Sequence, residues 1–291
     1  MIDVLLPYRG DAQLMRDAVT SVRAQTSPDW RLHVLDDADP DPSVTEWLRA
    51  QDDSRIRVVR NEQNLGVNGA FRRCLQFGDA EWVTFMGCDD LMHPDHLAHL
   101  GELVREHPGA AMYQPGVRVI DEAGQEYQPL ADRVKARLAP GPGTHRLAGE
   151  QAVRSLMRGN WLYFPSVLWR RSALDEHPFR PGLETALDLR LVMDLLLDGE
   201  ALIADATTTF DYRRHARSAS STTARTAERF AEETRISCEV ARECDLAGWP
   251  RAARAARIRP TVRLHAAVLA VARARSGDLR GGMRMLGGAV G

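Results

Sequence analysis

The stretch WVTFMGCDD, residues 82–90, is a short apolar run that ends in a glycine, a cysteine and two carboxylates. Such a run, bounded by turn residues, is typical of a buried β-strand. Comparable runs occur upstream, and two of them also end in polar residues, Pro7-Tyr8-Arg9 and Asp36-Asp37. Together they predict four strands, at Ile2–Leu6, Arg31–Leu35, Ile56–Val59 and Trp82–Met86.

Helical patterns separate these strands. The first follows Asp11, a favourable N-cap residue, and repeats apolar residues on one helical face from Leu14 to Val22. Alternation of this kind predicts an α/β fold, with a mostly parallel central sheet and helices on both faces. Ligands of open α/β sheets bind beyond the carboxyl ends of the strands. The polar residues at the strand ends therefore lie where a ligand is expected.

The second half of the chain is less regular. Ser166–Trp169 and Ala201–Ala204 have the character of later strands, and Leu187–Leu197 that of a helix. From about residue 224 the pattern is helical to residue 291. Residues 251–285 contain nine arginines against one acidic residue, Asp278. We expect a helical C-terminal extension, which offers a surface for a possible homodimer.

Composition excludes several classes of protein. The 291 residues carry a formal net charge of -2, far from the basic balance of a nucleic-acid-binding chain, so no nucleic-acid partner is expected. The four cysteines form no C-x-x-C pair, which disfavours zinc-ribbon and c-haem sites and favours reduced thiols. No signal peptide or membrane-spanning stretch is evident. We therefore expect a soluble, cytoplasmic protein.

The sequence lacks the two common glycine-rich phosphate loops, G-x-G-x-x-G after the first strand and G-x-x-x-x-G-K-[ST] anywhere. Phosphates would then need another neutralising group, such as a divalent cation. Asp89-Asp90, at the end of a strand, could hold Mg²⁺ or Mn²⁺ on a diphosphate, since both ions prefer oxygen ligands. The alternative is that these carboxylates cap the following helix.

Six segments, in order, resemble family-2 glycosyltransferases of the GT-A fold. They span about residues 2–221 and are VLLPYRGD (4–11) with the following helix, HVLDDADPD (33–41), RNEQNLGVNGAFRRCL (60–75), EWVTFMGCDDLMHPDHL (81–97), FRPGLETALDLRLVMDL (179–195) and FDYRRHARSAS (210–220). The fourth holds the family's Asp-x-Asp motif and the fifth its Glu-Asp pair. The resemblance implies a GT-A domain over residues 1–221, with a nucleotide-sugar-binding half (1–120) and an acceptor half (121–221), followed by the extension at 222–291.

The resemblance also implies roles for individual residues. Asp37 would accept a hydrogen bond from the base of a UDP- or dTDP-sugar, and Asp188 would be the general base of an inverting transfer. The implied metal ligands are Asp89, Asp90 and His215. The implied nucleotide-binding residues are Pro7, Tyr8, Arg9, Asp36, Asp37, Asn68, Arg72 and Asp89, and the acceptor-side residues are Asn160, Trp161 and Glu184. The acceptor is expected to be a soluble small molecule or a carrier-bound group.

Three positions depart from the family pattern. Gly87 stands where the first acid of Asp-x-Asp is expected, Leu187 replaces the glutamate of the Glu-Asp pair, and Phe71 replaces an arginine. Two alternatives therefore stay open, a non-catalytic protein on this scaffold and a nucleotidyltransferase that makes the sugar nucleotide. The second usually has a glycine-rich basic loop after the first strand, which the segment PYRGD does not provide.

Overall fold

The computed structural model describes residues 1–215, 227–276 and 278–290. Within them, nine strands form one sheet flanked by helices. The strands are β1 (Ile2–Tyr8), β2 (Trp30–Asp36), β3 (Ile56–Arg60), β4 (Trp82–Phe85), β5 (Leu91–Met92), β6 (Met112–Ile120), β7 (Thr144–Ala148), β8 (Leu168–Arg170) and β9 (Ala201–Arg213). The helices are α1 (Ala12–Arg23), α2 (Ser43–Arg49), α3 (Gly66–Cys74), α4 (His96–Glu106), α5 (Leu130–Leu138), α6 (Gly149–Arg158), α7 (Arg171–Glu176), α8 (Leu187–Leu197), α9 (Ala227–Leu246), α10 (Pro250–Ile258), α11 (Pro260–Arg275) and α12 (Leu279–Val290).

The first four strands confirm the predicted parallel unit. The sheet order is β3-β2-β1-β4-β8-β6-β9-β5, with β7 paired to β9. β1 runs parallel to both β2 and β4, and β2 runs parallel to β3. Tyr8 is in register with Asp36, so the carboxyl ends of β1 and β2 meet at one edge. The polar residues after the strands are thereby brought together.

Helix α1 shows how the sequence specifies the packing of this unit. The Asp11 carboxylate accepts hydrogen bonds from the backbone N–H groups of Gln13 and Leu14, as the predicted N-cap requires. The predicted apolar face buries Met15, Ala18, Val19 and Val22. Burial of such side chains against a sheet contributes about 1.5–3 kcal/mol each for the larger ones.

The second half of the sheet mixes directions. β8 is antiparallel to both β4 and β6, whereas β6 and β9 are parallel. The short strand β5 pairs antiparallel with the end of β9, placing Leu91 opposite Asp211. This pairing brings Asp89 and Asp90, just before β5, beside Arg213 and the residues that follow it.

The C-terminal helices pack on the sheet and on one another. α9 and α10 contribute Ile236, Val240 and Ala252 to the main hydrophobic core, and Phe230 joins a smaller cluster with α11 and α12. The expected boundary between residues 221 and 222 lies outside the described residues. Within the ranges described, no helix is both long and apolar enough to span a bilayer. All four cysteines are free thiols, as expected.

A candidate active site at the carboxyl edge of the sheet

A cleft of about 660 Å³ opens where the carboxyl ends of β1, β2 and β4 meet. The predicted residues Pro7, Tyr8, Arg9, Asp37, Asp89 and His215 all line it. Its other lining residues are Gly10, Asp11, Leu14, Asn64, Gly66, Val67, Ala70, Phe71, Met86, Gly87 and Cys88. The fold therefore gathers five separate segments of the chain around one cavity.

Asp37 is fixed at the cleft wall by backbone and side-chain contacts. Its Oδ1 accepts hydrogen bonds from Asn61 Nδ2 at 2.6 Å and from the Leu65 N–H at 2.9 Å, and its own N–H donates to the Tyr8 carbonyl. The next residue, Ala38, has a φ of 54°, a conformation that disfavours residues with a Cβ. Arg9 Nη1 donates to the Ala38 carbonyl at 2.6 Å and holds this strained turn.

Asp36 has a different role from the predicted one. Its side chain is fully buried, and Oδ1 accepts from the Asp39 N–H while Oδ2 accepts from Thr45 Oγ1 and Arg60. Successive residues of a strand point to opposite faces, so Asp36 enters the protein interior when Asp37 faces the cleft. Asp36 is a structural residue and not a nucleotide contact.

Two further predicted nucleotide contacts lie elsewhere. Asn68 is buried in α3 and its Nδ2 donates to the carbonyls of Arg180 and Leu183, at 2.9 and 2.6 Å. Arg72 is exposed and is absent from the cleft lining of the described residues. The α3 residues that line the cleft are instead Gly66, Val67, Ala70 and Phe71. Asn68 and Arg72 occupy other faces of α3 than these four residues, and their role in nucleotide binding stays a prediction.

Asp89 and His215 form a contact pair in the cleft. Asp89 Oδ2 lies 2.9 Å from His215 Nε2, although the residues are 126 positions apart. Arg213 holds the segment that contains Asp89 and Asp90. Its backbone N–H donates to Asp90 Oδ1 at 2.9 Å, and its Nε donates to the Asp89 carbonyl at 2.8 Å. The end of β9 therefore places His215 next to the loop that follows β4.

Asp90 is buried beside this pair and does not line the cleft in the described residues. Its Oδ2 is buried without a hydrogen-bond partner among those residues and lies 2.4 Å from where a Cβ on Gly87 would stand. Burial, together with the charge of Asp89, raises the pKa of Asp90 well above its usual value. The ligand atoms of Asp89, Asp90 and His215 do not lie within 4.8 Å of one another as one set. Asp90 is buried and does not line the cleft among the described residues, so the three predicted ligands do not form one compact cluster here, and their role in metal binding stays a prediction.

Asp188 lies at the start of α8 and is half-buried. Burial raises the pKa of Asp188. Two contacts oppose that shift: the backbone N–H of Leu189 donates to Oδ1 at 2.7 Å, and Lys135 carries a positive charge nearby. Lys135 Nζ donates to the Leu162 carbonyl at 2.9 Å, and burial lowers its pKa to about 8. Asp188 is not part of the cleft lining among the described residues, and its role as a base stays a prediction.

The acceptor-side residues separate into one exposed and two internal positions. Glu184 is exposed, and its Oε2 is 3.8 Å from the position of a Cβ on the cleft residue Gly66. Trp161 is 2% exposed in the main core, with its indole N–H donating to Ser155 Oγ. Asn160 is half-buried and accepts from the Leu162 N–H. Trp161 is therefore a core residue and cannot stack on an acceptor.

Sequence reasoning missed Glu232, a residue of α9. Its carboxylate accepts hydrogen bonds from the backbone N–H groups of Glu184, Thr185 and Ala186, immediately before α8. The helical pattern of α9 carried no signal for this contact, because the contact joins residues that are 46 to 48 positions apart in the chain.

Solved structures share this architecture. S. aureus TarS (residues 1–349), in complex with UDP-GlcNAc, matches with a TM-score of 0.67 and 13% identity over 98% of this chain and 90% of that one. The mannosyltransferase PcManGT from Pyrobaculum calidifontis, in complex with GDP-Man and Mn²⁺, matches with a TM-score of 0.63 and 16% identity over 99% and 79%. At these identities the matches show a common fold.

Sequence relatives cover a smaller part of the chain. The succinoglycan biosynthesis protein ExoW of Rhizobium meliloti is 36% identical over 101 residues, which are 33% of this chain and 31% of ExoW. The Escherichia coli UDP-Glc:alpha-D-GlcNAc-diphosphoundecaprenol beta-1,3-glucosyltransferase WfgD is 28% identical over 91 residues, 31% of this chain and 36% of WfgD. The chain thus spans well under half the length of these relatives.

A family model also matches the chain. The model for glycosyl transferase family 2 aligns with residues 3–172, which include Asp37, Asp89 and most of the cleft lining. Since this match covers more than half of the sequence, the chain belongs to glycosyl transferase family 2.

Proposed function

We propose that the protein is an inverting glycosyltransferase that moves a sugar from a UDP- or dTDP-sugar to a hydroxyl acceptor. The observation that carries the proposal is the cleft at the carboxyl edge of β1, β2 and β4, which joins Asp37 to the Asp89–His215 pair. Ligand binding at this edge is general for open α/β sheets. The nucleotide-sugar-binding half would correspond to residues 1–120 and the acceptor half to residues 121–221.

The donor site would be built on Asp37. Its carboxylate is held by Asn61 and Leu65 with acceptor capacity left for a pyrimidine N–H, and Pro7 and Tyr8 lie beside it in the lining. Support for a uridine nucleotide comes from two proteins that this chain resembles. The printed name of WfgD gives UDP-Glc as its donor, and TarS is solved with UDP-GlcNAc.

A divalent ion, Mg²⁺ or Mn²⁺, would bind near Asp89 and His215. A carboxylate oxygen and an imidazole nitrogen are suitable ligands for such an ion, and both residues line the cleft. Asp90 Oδ2, which is buried beside this pair and has no hydrogen-bond partner among the described residues, supports a cation close to this edge. When bound, the ion would stabilise negative charge on the leaving diphosphate. PcManGT, solved with GDP-Man and Mn²⁺, supports this assignment.

Asp188 would act as the general base. In a single displacement, the acceptor oxygen attacks the anomeric carbon, its proton passes to the carboxylate, and the bond to the diphosphate oxygen breaks. Burial raises the pKa of Asp188 toward the range in which a base works best at neutral pH. Glu184 is the second candidate, because its carboxylate lies beside the cleft residue Gly66.

The acceptor and the cellular setting are also proposals. WfgD, by its printed name, glucosylates a sugar on a lipid-linked diphosphate, and ExoW acts in succinoglycan biosynthesis. A sugar hydroxyl, free or carrier-bound, is therefore the acceptor that we propose. Four free thiols fit a reducing compartment, which supports a cytoplasmic location. Exposed Leu264, Val268 and Met283 on α11 and α12 would provide the surface of a homodimer.

Donor turnover tests the function directly. Purified protein is incubated with UDP- and dTDP-sugars, with Mn²⁺ and a panel of sugar acceptors, and release of the nucleoside diphosphate is followed. Release of UDP or dTDP with formation of a glycosylated product supports the proposal. Formation of pyrophosphate from UTP and a sugar phosphate would indicate a nucleotidyltransferase, and binding without turnover would indicate a non-catalytic protein.

A further inference from the structure

Glu232 reaches from α9 to the loop that precedes α8. One carboxylate oxygen accepts hydrogen bonds from the N–H groups of Thr185 and Ala186, both at 2.8 Å, and from Thr185 Oγ1 at 3.0 Å. The other oxygen accepts from the Glu184 N–H at 3.0 Å. One side chain of the C-terminal helices thus binds three consecutive backbone donors of the acceptor half.

The three donors immediately precede the first residue of α8, Leu187, with Ala186 at its N-cap position. The helix dipole places partial positive charge at this end, which favours a nearby carboxylate. Within the described residues, α8 has no side-chain cap from its own N-cap residue, Ala186. Burial raises the pKa of Glu232, but the hydrogen bonds from Glu184, Ala186 and Thr185 lower it further, so the carboxylate stays ionised.

The same loop is also held by α3. Asn68 of α3 donates to the carbonyls of Arg180 and Leu183, at 2.9 and 2.6 Å. Residues 180–186 are therefore bound between α3, whose neighbouring residues line the cleft, and α9. Both candidate bases depend on this segment, because Glu184 lies within it and Asp188 follows two residues after Ala186.

We propose that Glu232 is a positioning residue for sugar transfer, which fixes the backbone that carries Glu184 and Asp188 and makes α9 part of the acceptor side of the active site. The proposal rests on the proposed function for its catalytic consequence. Its structural part, that the Glu232 carboxylate holds residues 184–186, stands on the four contacts themselves. A misplacement of about 1 Å in a reacting group can reduce the rate about 100-fold.

The test compares Glu232→Ala and Glu232→Gln with Glu228→Gln in the full chain. Glu228 is exposed and lies one turn earlier on α9, so it is a matched control. We expect Glu232→Ala to lower kcat by about 10- to 100-fold, and Glu232→Gln to have a smaller effect because it keeps one acceptor oxygen. The affinity for UDP with Mn²⁺ should match that of the Glu228→Gln control. A purely structural role would instead lower kcat and UDP affinity together.

Hydrogen–deuterium exchange supplies a readout that does not need turnover. Glu232→Ala should accelerate exchange of the amides of residues 184–186, whereas Glu228→Gln should leave it unchanged. Unchanged exchange in Glu232→Ala would overturn the proposed contact, and wild-type kcat despite faster exchange would overturn its role in positioning. If exchange is faster in Glu232→Ala but the wild-type protein transfers no sugar, the contact is supported and the proposed function fails.

Discussion

Asp89 Oδ2 and His215 Nε2 lie 2.9 Å apart, joining the end of β4 to the residues after β9. The contact links the two halves of the sheet at the cleft, because β4 belongs to the parallel unit and β9 belongs to the mixed second half. It places an imidazole within the cleft at the point where the proposed diphosphate would lie. This relationship leads to the first prediction.

His215→Ala should weaken the binding of Mn²⁺ in the presence of UDP by about 10- to 100-fold, the usual effect of removing a partner of a metal-binding carboxylate. The matched control is His145→Ala, since His145 contacts the carbonyls of Gly141 and Pro142 on another part of the surface. Titration calorimetry with Mn²⁺ at saturating UDP measures the effect. Equal Mn²⁺ affinity in the two variants would remove His215 from the proposed metal site.

The two candidate bases can be separated by amide substitutions. Asp188→Asn should reduce kcat by about 10²- to 10⁴-fold on a hydroxyl acceptor, because loss of a general base has effects of that size. Glu184→Gln should reduce kcat by less than tenfold if Asp188 is the base. Steady-state kinetics measures kcat, and titration calorimetry measures donor affinity, which should be unchanged in both variants. The reverse order of effects would assign the role to Glu184.

Lys135 is the single lysine of the sequence, so its amine can be followed by selective acylation. Burial lowers the pKa of Lys135 to about 8, against about 10.4 for an exposed lysine. Between these values the unfolded chain binds more protons than the folded one, so this residue's contribution to stability rises with pH. The acylation rate of the folded protein should therefore reach half its maximum near pH 8.

Asp188 provides a check on the lowered pKa of Lys135. Its charge favours protonated Lys135, so Asp188→Asn should move the acylation profile to lower pH. The matched substitution is Asp198→Asn, a more exposed residue whose carboxylate contacts His177. Quantitative mass spectrometry of the peptide containing Lys135 measures both profiles. A midpoint above pH 10, or no response to Asp188→Asn, would contradict the described environment of the amine.

The opposite edge of the sheet is stabilised by Asp3. Its buried carboxylate accepts from Arg31 Nε at 2.8 Å, from Arg171 Nη2 at 3.0 Å and from the Ala80 N–H at 2.9 Å, and contacts His33 Nε2 at 3.1 Å. Removing one partner of a buried charge network typically costs about 3–5 kcal/mol. We expect Asp3→Asn to lower the free energy of unfolding by about that amount. Asp79→Asn, which alters an exposed partner of Arg31, should change it by about 0–1 kcal/mol.

The effect of Asp3 should depend on pH. Burial raises its pKa, but the contacts with His33, Ala80 and Arg31 lower it further, to well below its usual value. A group with a depressed pKa stabilises the fold above its unfolded-state pKa of about 4 and loses that contribution as the pH falls. Urea unfolding of the wild type and of Asp3→Asn at several pH values measures this. The difference between them should shrink below pH 4, and a constant difference would contradict it.

The strand–helix alternation of residues 2–104 was predictable because each element carries its own periodicity. The Asp11 N-cap and the buried face of α1 follow from spacing alone. The antiparallel insertion of β8 between β4 and β6 was not, since a three-residue strand has no directional signal in sequence. Pairing direction depends on contacts between residues that are distant in the chain.

The site likewise contains residues that local sequence predicts and residues whose place depends on long-range packing. Pro7 lies near the end of β1, Arg9 and Asp37 come directly after β1 and β2, and Asp89 follows β4 after a short loop. Their place in the cleft therefore followed from the fold. The choice between Asp36 and Asp37 depends on which face of β2 each residue takes, and Trp161 resembles a surface aromatic until its burial is known. Glu232 is a long-range partner whose position depends on how α9 packs, and helical spacing carries no information about that.

The central claim is that the cleft at the carboxyl edge holds a nucleoside diphosphate, and titration of UDP in the presence of Mn²⁺ tests it most directly. The wild type should bind UDP, and Asp37→Ala should weaken binding by about 1–3 kcal/mol, or about 5- to 150-fold. Arg72→Ala, an exposed α3 residue outside the described cleft lining, should retain wild-type affinity. Absence of UDP binding by the wild type, or equal affinity in Asp37→Ala, would contradict the account.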